Sequence, residues 1–144
     1  MSNEEHFRKL ERMYLSAPIN QYFEPAIRIS EGQAEVVMPV RPGFFHAAGA
    51  AHGAVYFKAL DDAAFFAVSS LLENVFALTV TFNVYFIRPI AGGEMRAVGK
   101  VVFRSQRLFV AESQAFNSDG KEVARGSGTF MPSKIPLTPE LGYR

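Results

Sequence analysis

The chain reads as an α+β domain in which one long helix lies across a curved antiparallel sheet, with helix and strands segregated. Three observations carry that reading. Residues 51–72, AHGAVYFKALDDAAFFAVSSLL, are apolar almost all the way round, as expected of a helix enclosed by other structure rather than one lying on a surface. Leu78, Val80, Phe82, Val84 and Phe86 alternate with Thr79, Thr81, Asn83, Tyr85 and Ile87, the period of a strand. The chain beyond them breaks into further strand-length runs divided by Gly92-Gly93, Ser105-Gln106 and Ser118-Asp119-Gly120.

In chain order, residues 3–16 form a short amphipathic helix. Phe7, Leu10 and Tyr14 share one face, and Pro18 ends it. Two strands follow, 22–29 and 33–40, around a turn at Ser30-Glu31-Gly32. In the second, Ala34, Val36, Met38 and Val40 mark the buried face. Arg41-Pro42-Gly43 interrupts the pattern, and residues 44–50 make a loop before the long helix. At about 1.5 Å per residue that helix spans roughly 30 Å, enough to cross a small domain. Four antiparallel strands complete the chain: one over 78–87, then 94–104, 107–117 and 121–131. Pro132, Pro136 and Pro139 mark a tail expected to be loose.

Length and composition bound the function. The 144 residues suit one domain with a real core. A formal net charge of +1 gives no bulk electrostatic case for nucleic acid or an anionic membrane. The absence of cysteine removes disulfides, zinc–thiolate sites and thiol nucleophiles, and fits a reducing compartment. The charged N-terminus MSNEEHFRKLERMYL is no signal peptide, and Lys58, Asp61 and Asp62 interrupt the longest apolar stretch. A soluble cytoplasmic protein is expected, with neither nucleic acid nor membrane as partner.

The residues at the start of the long helix carry a resemblance. His52-Gly53-Ala54 opens it, and Asp61 follows nine positions after the histidine. The strand TVTFNVYFIRP over 79–89, then Asp119-Gly120-Lys121 and Ala124-Arg125-Gly126, come in the matching order. Across residues 41–131 the chain resembles the hotdog-fold acyl-CoA thioesterases related to the phenylacetate-pathway and 4-hydroxybenzoyl-CoA enzymes. The resemblance implies a hotdog domain over 21–132, flanked by an N-terminal helical segment, 1–20, and a C-terminal tail, 133–144. It implies hydrolysis of an acyl-CoA to a free acid and coenzyme A, without metal or other cofactor. It also implies paired sites across the interface of a homodimer or homotetramer. Two positions depart from the family's pattern: Ala54 stands where a second glycine is usual, and His46 where an amide side chain is common.

Thioester hydrolysis needs a base or nucleophile and donors for the developing oxyanion. A helix N-terminus supplies free N–H groups and partial positive charge, and glycine lets a carbonyl approach closely. Gly53 N–H is therefore the expected polarising donor. Asp61 shares a helical stripe with Phe57, Ala64 and Val68, where desolvation raises a carboxyl pKa and makes a better base. Asp62 stands one turn after Lys58, and an ordinary surface-type ion pair explains it. Asp61 serves either as general base or as nucleophile. Gly53 and Asp61 stand about 12 Å apart by helix rise, too far for one carbonyl carbon to meet both within a chain. The two halves of a site are thus expected from different subunits.

By resemblance, the Thr79 hydroxyl orients the carboxylate or the water, and His46 replaces the usual amide with a titratable group. His52 and Ala54 at the helix start, and Asn83 on the following strand, are candidate substrate contacts, His52 chiefly as a support for the loop. Arg88, Arg104 and Arg107 are candidates for the coenzyme A phosphates. The phenylalanine-rich composition suits an aromatic or an aliphatic acyl group equally. Two alternatives stay open from the residues alone: a hydroxyacyl dehydratase or hydratase on the same fold, and a non-catalytic acyl-CoA-binding protein.

Overall fold

Apolar spacing at the N-terminus builds two helices rather than one. The computed structural model describes residues 2–144. Helix α1, Asn3–Ser16, starts where the Ser2 hydroxyl accepts Glu5 N–H at 3.1 Å. Pro18 does not simply stop it. Its missing N–H and fixed φ suit the first turn of a helix, and a second short helix, α2, runs Pro18–Phe23 after a break at Ala17. The strand expected from residue 22 therefore starts later, as β1, Ala26–Ser30. Glu24 in the left-handed region, φ 52°, separates the two.

The sheet has six strands in the order β1-β2-β4-β5-β6-β3, with every neighbouring pair antiparallel. Here β2 is Gln33–Pro39, β3 Val75–Phe86, β4 Glu94–Arg104, β5 Phe109–Phe116 and β6 Glu122–Pro136. Between β2 and β3 the chain passes through the long helix α3, Gly53–Ser69, so β3 lies on the far edge of the sheet from β1. Edge strand β1 has its backbone groups covered by α1: the Glu11 carboxylate accepts Ile29 N–H at 2.8 Å, and Arg8 donates to the Ile29 carbonyl at 2.7 Å.

Small residues bring α3 close to the sheet. Ala59, Ala63, Ala64 and Ala67 are fully buried against Ala97, Ala111 and Ala115. At Gly99 a side chain is impossible, since a Cβ there would stand 2.4 Å from the Ala63 carbonyl. The buried Ser113 hydroxyl reaches up from β5 to the Leu60 carbonyl at 2.8 Å. Leu60 itself has no exposed surface, and truncating it to alanine costs about 2–5 kcal/mol for a core site of this kind. This is the hotdog arrangement, a curved sheet around one central helix.

The C-terminal residues are not loose. Strand β6 continues through Pro136, past the boundary that the prolines suggested. Pro132 and Pro136 are accommodated where β6 meets edge strand β3 at its irregular start, opposite Ala77 and Val75. Beyond them Tyr143 is buried, with its hydroxyl 2.6 Å from His6 Nδ1.

Candidate active site at two places along the central helix

Two acids stand side by side in the middle of α3, and their surroundings divide them. Lys58 Nζ and the Tyr14 hydroxyl both donate to Asp62 Oδ2, at 2.8 and 2.6 Å. The pair Lys58–Asp62 is not of the surface type, because α1 lays Tyr14 over it and leaves the side chains only 12% and 17% exposed. Burial raises the Asp62 pKa, while Lys58 and Tyr14 pull it back. Among the described residues Asp61 has one hydrogen-bond partner: Thr79 Oγ1 donates to its Oδ1 at 2.9 Å. Burial pushes the Asp61 carboxyl up to about 6; the Thr79 hydroxyl and Lys58 oppose that, and the Asp62 charge adds to it.

Thr79 reaches Asp61 because β3 is irregular. Thr79 pairs with Phe130 and Thr81 with Thr129, so Val80 is an extra residue on the β3 side. The bulge turns Ala77 and Thr79 toward the helix on one side of it, and Phe82 and Val84 on the other. Strict alternation would have put Thr79 on the opposite face from Phe82. Leu78 and Val80 are instead the exposed residues, at 47% and 53%.

Asp61 and Thr79 open on a cavity of about 660 Å³. Phe65, Phe66 and Phe76 give it an aromatic wall, α1 and α2 close one side, and residues 139–144 close another, with Leu141 facing it. Tyr14 and the tail were not foreseen as site residues. Tyr14 falls in the apolar spacing of α1 and reads there as core; its hydroxyl, on the same helix face, is the only hint of a polar role.

The helix tip forms a separate site. His52 caps α3, with its Nδ1 accepting Ala54 N–H at 2.9 Å. His52 thus supports the loop, and Ala54 has no free donor to offer. Gly53 N–H, the first of the helix, meets no acceptor among the described residues. A Cβ on Gly53 would stand 3.2 Å from the Phe86 ring, a tight contact that this exposed side chain relieves by shifting a few tenths of an ångström. His46 Nδ1 accepts Ala48 N–H at 3.0 Å, which leaves its other ring nitrogen as the outward group. His46, Gly53 and Arg88 share a cavity of about 360 Å³. Arg88 is partly committed there, donating to the Glu122 carbonyl at 2.5 Å.

The remaining candidates lie apart from both places. Asn83 is exposed on β3, Arg104 lies over the Phe109 ring at 5.9 Å, and Arg107 is exposed in the turn between β4 and β5. Within one chain the structure brings together Asp61 with Thr79, and His46 with Gly53 and Arg88. It does not bring those two groups to one cavity.

This fold, with a carboxylate in mid-helix and an open glycine at the helix tip, is that of a thioesterase-type protein. The thioesterase superfamily model matches residues 48–124, and the chain belongs to that superfamily. Among solved structures it is similar to a thioesterase family protein from Silicibacter pomeroyi, 28% identical with a TM-score of 0.78, covering 90% of this chain and 97% of that one. The conserved protein PA5202 from Pseudomonas aeruginosa is 28% identical with a TM-score of 0.78, over 85% and 98% of the two chains. The E. coli PaaI protein from the phenylacetic acid degradation operon shares the fold at a TM-score of 0.85 and 22% identity, over 94% of this chain and 99% of that one. Among the described residues no helix is long and apolar enough to cross a membrane.

Proposed function

We propose that the chain is an acyl-CoA thioesterase that hydrolyses an acyl-CoA to a carboxylic acid and coenzyme A. The reading rests above all on Asp61: a carboxylate with one hydroxyl partner, open to a large apolar cavity, with burial holding its pKa at about 6. Such a group is ionised at neutral pH and is a stronger base than an exposed aspartate.

As general base, Asp61 takes a proton from water while the water oxygen bonds to the thioester carbonyl carbon. The carbonyl electrons move to oxygen, where Gly53 N–H and the positive end of α3 receive the charge. The intermediate collapses, the carbon–sulfur bond breaks, and the leaving thiolate takes the proton held by Asp61. As nucleophile, Asp61 would bond to the carbonyl carbon itself and expel the thiolate, and water would then open the mixed anhydride.

Base and oxyanion donor come from different subunits in this reading. It is supported by their separation along α3 and by the two distinct cavities they line. Edge strand β3, with exposed Leu78, Val80 and Tyr85, offers an unpaired backbone edge for a second copy. A homo-oligomer, dimer or tetramer, is therefore part of the proposal.

Thiol release from short, long and aromatic acyl-CoAs, measured for the native chain and for Asp61→Asn, tests it. Turnover of at least one acyl-CoA is expected, falling at least ~100-fold in the variant. An equal rate in both proteins refutes Asp61 as base or nucleophile. Hydration of an enoyl thioester without thiol release would make the chain a hydratase instead.

A further inference from the structure

The Asp61 cavity is walled in part by residues that the superfamily match does not include. Its floor, from α3, and Thr79 fall inside residues 48–124, but the α1–α2 corner and residues 139–144 fall outside. We propose, on the thioesterase reading above, that the C-terminal segment 137–144 is a chain-length wall for the acyl group, with Leu141 as the residue that sets the limit.

The segment is fixed firmly enough to act as a wall. Leu137 N–H donates to the Asn74 carbonyl at 3.0 Å at its start. Arg12 Nε donates to the Arg144 carbonyl at its end. Between them Tyr143 is buried edge-on against His6, ring centroids 5.7 Å apart. His6 is fully buried and points Nε2 at the Ser69 carbonyl, 3.0 Å away. A carbonyl can only accept, so Nε2 carries the hydrogen and Nδ1 accepts from the Tyr143 hydroxyl at 2.6 Å. The latch joins the segment to α1 and to the C-terminal end of α3, the same two helices that frame the cavity.

Leu141 is the largest apolar side chain that the C-terminal segment contributes to the cavity, which it lines together with Phe65, Phe66 and Phe76, and 37% of its surface stays open. Glu140 and Arg144, which also border the cavity, are exposed and suit its rim. The acyl group that fits is uncharged and apolar, and its far end meets Leu141. Shortening that side chain lengthens the space, and a larger one shortens it.

The test uses the full chain with Leu141→Ala and Leu141→Trp, and a straight-chain saturated acyl-CoA series from short to long. Leu141→Ala should raise kcat/KM for acyl groups just beyond the native limit by about 10-fold and leave the shortest within about 2-fold. Leu141→Trp should lower the longest accepted substrates by a similar factor. A uniform change across the series, or none, overturns the wall. Calorimetric binding of the same series is measured in parallel on Asp61→Asn, with and without Leu141→Ala. If the native chain hydrolyses no thioester, the thioesterase reading fails and binding alone decides. Affinity that depends on acyl length and shifts with Leu141→Ala then upholds the wall; flat or undetectable binding overturns it.

Discussion

The tip and the middle of α3 are opposites. At the tip Gly53 N–H meets no acceptor among the described residues and stands in an open cavity between His46, Arg88 and the Phe86 ring. In the middle Asp61 is a half-buried acceptor, held by one hydroxyl and facing aromatic rings. One place has a donor with no base, and the other a base with no free backbone donor. The helix dipole sharpens the contrast, because its positive end helps an oxyanion at Gly53 and does nothing so far along for Asp61. On the proposed reading a single chain holds two unlike halves of one reaction centre, and the complete centre would join the tip of one copy to the middle of another.

The largest expected effect comes from removing the donor without disturbing the helix. Proline is favoured at the first helical position, and His52 already has extended backbone, φ −63° and ψ 147°. Gly53→Pro should keep the fold by circular dichroism and lower kcat by about 10²–10³, the usual loss for an oxyanion donor. Unchanged turnover would remove the tip from the reaction.

The next effect concerns the middle alone. With its pKa raised to about 6, Asp61 is protonated and inactive below that pH and ionised above it. The kcat/KM profile should rise with pH through about 6 and then level. Thr79→Val removes a hydrogen bond that favours the carboxylate, so the acid limb should move to higher pH. Activity near neutrality should fall by a few-fold and recover at higher pH. A limb that stays in place would separate Thr79 from the base.

Smallest is a stability effect with a definite sign. A carboxyl with a raised folded pKa opposes folding once it must ionise, so the contribution of Asp61 to native stability falls as pH rises from about 4 to about 6 and is then constant. Asp61→Asn abolishes that loss. The variant should match the native chain near pH 4 and exceed it near pH 7 by about 1–2 kcal/mol in denaturant unfolding, the conversion being reduced because Asp61 is partly exposed. A gap that is the same at both pH values would show that the acid carries no such cost.

Much of this architecture was legible because periodicity reports burial directly. The long apolar run could only be an enclosed helix, and Ala34, Val36 and Met38 could only face it. The distinction between Asp61 and Asp62 was legible in outline from the spacing to Lys58. What was not legible depends on contacts far apart in the chain. Tyr14 stands 48 positions from the acid it touches, so the buried character of the Lys58–Asp62 pair could not be read locally. Tyr143 meets His6 across 137 positions, which is why a proline-rich tail reads as loose yet is latched. The bulge at Val80 leaves no mark on an alternating pattern, so the face of Thr79 could not be read from period two alone.

The division of the reaction centre between two copies is tested most directly by mixing its halves. Asp61→Asn and Gly53→Pro chains, each nearly inactive alone, are co-expressed so that they assemble together. In a mixed dimer one centre then combines an intact Gly53 from one chain with an intact Asp61 from the other, and the second centre carries both changes. With random pairing, thiol release should recover to roughly a quarter of the native rate. Recovery no greater than the sum of the two separate variants would place both groups in the same chain's centre and contradict the account.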